Sequence, residues 1–123
     1  MKKSRNFVVK MGKEQTYRQR IDQIVRNEKR YRDPNFSAMK LAESLEVQNY
    51  ELSRIIRREY GTTYTDIIHS YRIQEAMRHL KNKRLAPYSI DDIGWMVGFK
   101  NRQSFFAAFK KATGTTPEKF RSM

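Results

Sequence analysis

Twice in this chain a pair of cations precedes a glycine and threonines by the same spacing: Arg57-Arg58 before Gly61-Thr62-Thr63, and Lys110-Lys111 before Gly114-Thr115-Thr116. Guanidinium and ammonium groups beside the free N–H groups of a helix start are donors for phosphate oxygens, contacts that set affinity and register without carrying any sequence code. Arg57, Arg58, Lys100, Lys110 and Lys111 are therefore read as phosphate clamps. Thr63 and Thr116 open helices whose backbone N–H groups suit the same anion. A single lysine is ordinarily a solvated surface residue, so the assignment rests on the pairing of two copies.

Catalytic chemistry is poorly supplied. The chain holds no cysteine, which removes thiol nucleophiles, disulfide scaffolds and Cys-ligated zinc fingers together. Its two histidines, His69 and His79, fall about 80° apart around one helix, poor geometry for a shared metal. Asp91-Asp92 are sequence neighbours in a first helical turn, where negative charge suits the helix dipole better than acid–base work. Neither a phosphate-binding glycine loop nor a GxSxG elbow is present. These residues predict no enzyme, no metal and no cofactor.

Composition points the same way. Against 13 acidic residues stand 26 Lys and Arg, a formal net charge of +13 over 123 residues. That exceeds the magnitude of about 2–8 typical of a soluble small domain, and a polyanionic partner is the first implication. With 38% hydrophobic residues the chain can still build a core. No apolar run approaches the roughly 18 residues of a membrane span, no secretory leader is legible at Met1, and the absence of cysteine leaves the compartment open but fits a reducing cytoplasm, the expected location being cytoplasmic and nucleoid-associated. Residues 1–32 carry 11 basic and 3 acidic side chains. Their front, 1–14, reads as a basic arm, either a linker to a further domain or a segment tracking a nucleic-acid backbone.

The elements that must position these groups follow from periodicity. Tyr17, Ile21, Ile24 and Tyr31 recur at helical spacing, which predicts one helix over 15–31 stopped by Asp33-Pro34. Beyond it the chain repeats itself. Ala38, Leu41, Ala42, Leu45 and Val47 return 52 residues later as Ile90, Ile93, Gly94, Val97 and Phe99; Leu52, Ile56 and Gly61 return 53 residues later as Phe105, Phe109 and Gly114. Each copy reads as a short helix capped by Ser37 or Ser89, a tight turn, and a second helix closed by glycine. Ala42 or Gly94 lets the two helices cross closely, and Val47 or Phe99 plugs the turn. Gly98 suits a left-handed turn; Glu46 stands there in the first copy. Between the copies, Tyr64 to Leu80 predicts a helix of about 18 residues and roughly 27 Å, long enough to hold two helices near one DNA turn apart. The expected division is 15–62, a first helix-turn-helix subdomain; 63–82, a central helix; and 83–123, a second subdomain. Met39, Met77 and Met96 are read as packing residues. Trp95 faces away from its local core, either as a contact for another protein or packed on the C-terminal helix.

These residues resemble the DNA-binding domain of AraC/XylS-type transcriptional regulators. The resemblance is carried by Ile90-Asp91-Asp92-Ile93-Gly94, Gly98-Phe99-x-Asn101, Phe105-x-x-x-Phe109-Lys110-Lys111, Gly114-x-Thr116-Pro117 and Phe120-Arg121. Upstream, Leu41-Ala42, Leu52-Ser53-Arg54, Gly61 and Tyr71-Arg72-Ile73 belong to it as well. It covers roughly 20–123. It implies an all-α fold of about seven helices, two homeodomain-like helix-turn-helix units joined by a long central helix, with two recognition helices in adjacent major-groove segments of double-stranded DNA. It further implies activation of transcription through RNA polymerase and an effector or sensor domain outside this segment. Three positions depart from the family: Gly94 replaces its usual alanine, at about 1 kcal/mol of helix stability, Ala107 stands where many members have arginine, and Ser104 where an aromatic is common.

On the first recognition helix, Leu52, Ile55 and Ile56 face inward, leaving Asn49, Tyr50, Ser53 and Arg54 towards a groove. Arg54 can fork to guanine O6 and N7. By the resemblance, Tyr50 and Ser53 are base-contacting; Tyr50 alternatively shields the core. On the second helix, capped by Asn101, the candidates are Arg102, Gln103, whose amide matches adenine, and Phe106, which meets thymine methyls or is half-buried. The alternative for the whole chain is a helical module that binds DNA or RNA by charge alone, followed by a helical adaptor for other proteins.

Overall fold

A computed structural model describes residues 15–123, and the expected basic arm at 1–14 lies outside them. Among the described residues are seven α-helices and no strand: α1 (Tyr17–Asp22), α2 (Ala38–Leu45), α3 (Asn49–Tyr60), α4 (Tyr64–Lys81), α5 (Ile90–Met96), α6 (Arg102–Thr113) and α7 (Pro117–Ser122). They form two compact units. The first holds the described residues to Arg30 with Asn35–Ile67; the second holds Tyr31–Pro34 with Ile68–Met123.

In the first unit, Thr16 caps α1 and exchanges hydrogen bonds with Gln19, its Oγ1 accepting from Gln19 N (3.1 Å) and its own N donating to Gln19 Oε1 (2.8 Å). Ser37 Oγ accepts from Lys40 N at the start of α2. The buried apolar residues Ile21, Ile24, Val25, Leu41, Ala42, Leu45, Leu52, Ile55 and Ile56 supply the core. The Tyr60 hydroxyl donates to Asp22 Oδ1 (2.7 Å) while the Arg18 guanidinium lies over its ring, fastening the end of α3 to α1.

The single helix expected over 15–31 is not formed. After α1 the backbone widens into a π-helical turn at Gln23–Asn27, Lys29 turns left-handed (φ 56°), and Tyr31 sits in a separate 3-10 turn at Arg30–Arg32. The reason lies in the second unit. There Tyr31 is buried, stacks on Tyr71 with ring centroids 5.9 Å apart, and donates its hydroxyl to Glu75 Oε1 (3.1 Å). A long-range hydrogen bond and an aromatic contact outweigh one more turn of helix.

Glu75 is 2% exposed on α4 and also accepts from Arg32 Nε (2.9 Å) and Nη2. Buried Arg72, one turn earlier, donates to the carbonyls of Tyr31 (2.6 Å) and Asp33 (3.2 Å), so the strap 31–34 is held by both side chains. Gly98 is obligatory at the same place: its φ is 114°, and a Cβ there would meet Tyr31 O at 2.5 Å and Arg72 Nε at 2.8 Å. The rest of this unit packs Ile73, Ala76, Leu80, Ile93, Val97, Phe99, Phe105, Ala108 and Phe109 into one cluster, with Met77, Met96 and Phe120 against it. Met39, expected to pack, is instead 58% exposed. Arg121 closes the unit by donating to Tyr88 O (2.7 Å) and Leu85 O (2.8 Å).

The two copies match bond for bond. Val47 N donates to Ala42 O and Phe99 N to Gly94 O, each at 3.0 Å; Glu46 N donates to Glu43 O and Gly98 N to Trp95 O, each at 3.1 Å. Glu46 adopts the left-handed conformation (φ 56°) that glycine takes in the second copy, at a strain of about 1–2 kcal/mol. The departure in residue type leaves the turn intact.

Gly94 is explained by its neighbour. A Cβ on it would lie 2.6 Å from Cδ2 of Phe105, a fully buried ring with no room to swing. Gly94→Ala gains about 1 kcal/mol of helix propensity against an overpacking cost of about 1–3 kcal/mol. We expect thermal denaturation to show a net loss of stability, recovered in part when Phe105→Leu is added.

Burial pushes the Glu75 carboxyl upward, but the hydrogen bonds and charge of Arg32, helped by the Tyr31 hydroxyl and by His79, overcome it and hold the group below the ordinary carboxylate value. A carboxyl lowered in the folded state stabilises fully above its unfolded value, about 4.3, and loses that contribution as pH falls through the folded value. Glu75→Gln should cost about 1–3 kcal/mol at neutral pH, modest because Arg32 is partly exposed. Urea titrations below about pH 4.5 should then fall less steeply for the variant than for the parent.

Candidate nucleic-acid interface

Helix α3 presents two chemically distinct sides. Leu52, Ile55 and Ile56 are buried, while Asn49, Tyr50, Ser53, Arg54, Arg57 and Arg58 are exposed. Tyr50, Ser53, Arg54 and Arg57 stand at i, i+3, i+4 and i+7 and so make one stripe along the helix. Tyr50 is 65% exposed, which removes the reading of it as a shield for the core. Gln48 N donates to Glu51 Oε1 (3.0 Å), fixing the start of the helix, and Gly61 (φ 71°) ends it. Arg58 is paired with Glu59 (2.9 Å), whereas Arg54 and Arg57 project from the stripe.

The corresponding stripe on α6, displaced by 53 residues, is Gln103, Phe106, Ala107 and Lys110. Asn101 Oδ1 accepts from Ser104 N (2.8 Å) and caps the helix as expected. Gln103, Ala107, Lys110 and Lys111 are exposed; Phe106 is half-buried, its ring edge-on to Phe105 at 5.9 Å. The position of Arg54 is taken here by alanine. The second stripe therefore offers an amide, an aromatic edge, a methyl and an ammonium, and no guanidinium.

Arg102, expected among the base-facing residues, is engaged within its own unit. Its Nη1 donates to Asp91 Oδ1 (2.6 Å), its Nη2 lies 3.4 Å from Glu118 Oε2, and its guanidinium carbon sits 4.2 Å from the centroid of the Phe106 ring. Sequence spacing carried no sign of this: Asp91 and Glu118 lie eleven and sixteen positions away on other helices. Asp92 exchanges hydrogen bonds with Ser89 as a cap, both at 3.0 Å. The two acids thus have separate structural tasks.

Lys100 is exposed on the turn before α6. Thr63 Oγ1 accepts from Asp66 N (3.2 Å), and Asp66 accepts in turn from the Thr62 hydroxyl (2.7 Å), so a carboxylate already stands at the start of α4. Thr116 Oγ1 accepts from Lys119 N (3.2 Å) at the head of α7, a helix of only six residues.

Trp95 is 60% exposed on α5. His69 and His79 are half-buried, the first tilted against Phe99 (5.3 Å between ring centroids), the second 3.5 Å from Glu75. No group of three or more metal-ligating residues exists among the described residues. No helix described is long and apolar enough to cross a membrane.

Comparison with known proteins places this geometry among relatives. A family model described as a helix-turn-helix domain matches residues 41–123. The chain is similar to the bifunctional transcriptional activator/DNA repair enzyme AdaA of Bacillus subtilis, 34% identical over 97 residues, which are 76% of this chain and 44% of that protein. It is also similar to the arabinose operon regulatory protein of Escherichia coli, 30% identical over 90 residues, or 73% of this chain and 30% of that one. Among solved structures, the C-terminal domain of AraT, a response regulator from Geobacillus stearothermophilus, superposes with a TM-score of 0.78 at 27% identity, covering 90% of this chain and 88% of that one. The chain spans less than half the length of AdaA and less than a third of the arabinose regulator.

Proposed function

The chain belongs to the AraC/XylS-type family of helix-turn-helix DNA-binding domains of transcriptional regulators, and from that premise we propose that α3 and α6 each enter a major-groove segment of one double-stranded site. The observation that carries this is the exposed stripe Tyr50, Ser53, Arg54 and Arg57 on a helix whose opposite side is wholly buried. Asn49, Tyr50, Ser53 and Arg54 face base edges from α3; Gln103 and Phe106 do so from α6, while Arg102 is engaged by Asp91 and Glu118. Arg57, Lys100, Lys110 and Lys111 grip phosphates, Arg58 after exchanging its Glu59 partner; the helix starts at Thr63 and Thr116 add least. The parts expected at 15–62, 63–82 and 83–123 act on this reading as reader, connector and second reader.

Sequence-specific and charge-driven binding separate by experiment. Each good bidentate contact is worth about 1–3 kcal/mol of discrimination. Arg54→Ala should therefore flatten the preference for a selected duplex over its scramble by roughly tenfold. Lys110→Ala should weaken both duplexes about equally and make the salt slope shallower by about one unit. Equal losses on both duplexes from both substitutions would favour the charge-driven reading.

The wider protein is read as an activator that contacts RNA polymerase, carries an effector or sensor domain outside this segment, and works at the nucleoid in the cytoplasm. This segment itself is read as having no catalytic role. Exposed Trp95 is its surface for a protein contact. Trp95→Ala should leave duplex affinity within about twofold yet lower activation of a reporter; unchanged activation would remove the contact.

A further inference from the structure

The two reading helices differ in a way that goes beyond simple duplication. Arg102 is the one guanidinium on α6; its side chain is 54% exposed, and it meets partners on three sides: Asp91 Oδ1 at 2.6 Å, Glu118 Oε2 at 3.4 Å, and the Phe106 ring at 4.2 Å from its guanidinium carbon. The two carboxylates come from different helices, α5 and α7, so the guanidinium is anchored between elements of one packed unit. A guanidinium so engaged has its fork directed at carboxylates. Reading guanine requires that fork for O6 and N7.

Resting on the reading of the chain as a sequence-specific DNA binder, we propose that Asp91 and Glu118 form a latch that withholds Arg102 from base edges and so sets the second half-site as A·T. With Arg102 withheld, α6 presents Gln103, whose amide pairs with adenine N6 and N7, and the apolar Phe106 and Ala107, which suit thymine methyls. The first half-site keeps its guanine through Arg54, whose equivalent on α6 is Ala107. The operator on this reading is asymmetric: guanine recognised by one unit, A·T pairs by the other. Arg102 is then a positioning residue that braces Phe106 from behind. Its charge is neutralised locally, so it adds little to phosphate attraction.

The test enriches a random duplex pool on the full chain and on two variants at fixed near-physiological salt. For the parent, the motif should hold a guanine in one half-site and A·T pairs in the other. Arg54→Ala should erase the guanine alone, which checks the underlying reading separately. Arg102→Ala should keep the A·T half-site, with affinity changed by less than about threefold. The double variant Asp91→Asn with Glu118→Gln frees the guanidinium and should gain a guanine preference of roughly tenfold in the second half-site. A guanine in the parent's second half-site that disappears with Arg102→Ala would overturn the latch. So would a double variant that binds every duplex more tightly with an unchanged motif, the signature of lost negative charge alone. Circular dichroism of each variant confirms that the fold is retained.

Discussion

A recognition helix of twelve residues is too short to hold itself together in water, and everything this molecule does depends on the turn that ties such a helix to its partner. The turn is made of two backbone bonds, donated by Glu46 and Val47 in one copy and by Gly98 and Phe99 in the other, around one left-handed residue. It fixes the angle at which the second helix leaves, and so decides which residues are buried and which remain for a ligand. With the turn in place, Leu52, Ile55 and Ile56 go inward and Tyr50, Ser53, Arg54 and Arg57 go outward without further instruction. The strain carried by Glu46 shows how strongly that geometry is imposed.

The same turn supports two different cores. The second copy replaces Leu52 and Ile56 by Phe105 and Phe109, and larger rings need room. Gly94 provides it against Phe105, where the first copy has Ala42. Gly98 provides it against the strap 31–34. Phe99, Phe105, Phe109 and Phe120 then form a chain of ring contacts 5.2–5.9 Å apart. Aromatic packing of this kind contributes beyond the area it buries, offsetting the helix propensity lost at Gly94.

Most of this architecture was legible in the sequence. Caps at Ser37, Ser89 and Asn101, glycine stops at Gly61 and Gly114, and the repeat of apolar positions are local signals, each spanning a few residues. What escaped depends on partners distant in sequence. Tyr31 fits a helical period with Ile24, yet its hydroxyl is bound 44 positions away at Glu75. The Arg72 and Arg32 ties to the strap and to Glu75 have separations of 39 to 43 and leave no periodic trace. The helical angle of Arg102 says nothing of the carboxylates of Asp91 and Glu118 that it meets on α5 and α7. Met39 is exposed; apolar type at helical spacing does not by itself bring burial.

These differences matter for how two similar units share one task. A net charge of +13 supplies attraction to any polyanion and no preference among sequences. Preference comes from the few side chains that reach base edges, each worth about 1–3 kcal/mol, whereas specific binders exceed their non-specific affinity by about 4–10 kcal/mol. On the proposed reading, one forked guanidinium at Arg54 does not span that gap, and amide, methyl and aromatic contacts from both helices would have to add to it. On the proposed reading, a freed arginine on α6 would add a guanine contact to the second half-site. Engaged by Asp91 and Glu118, it would on that reading leave the two half-sites with different base preferences.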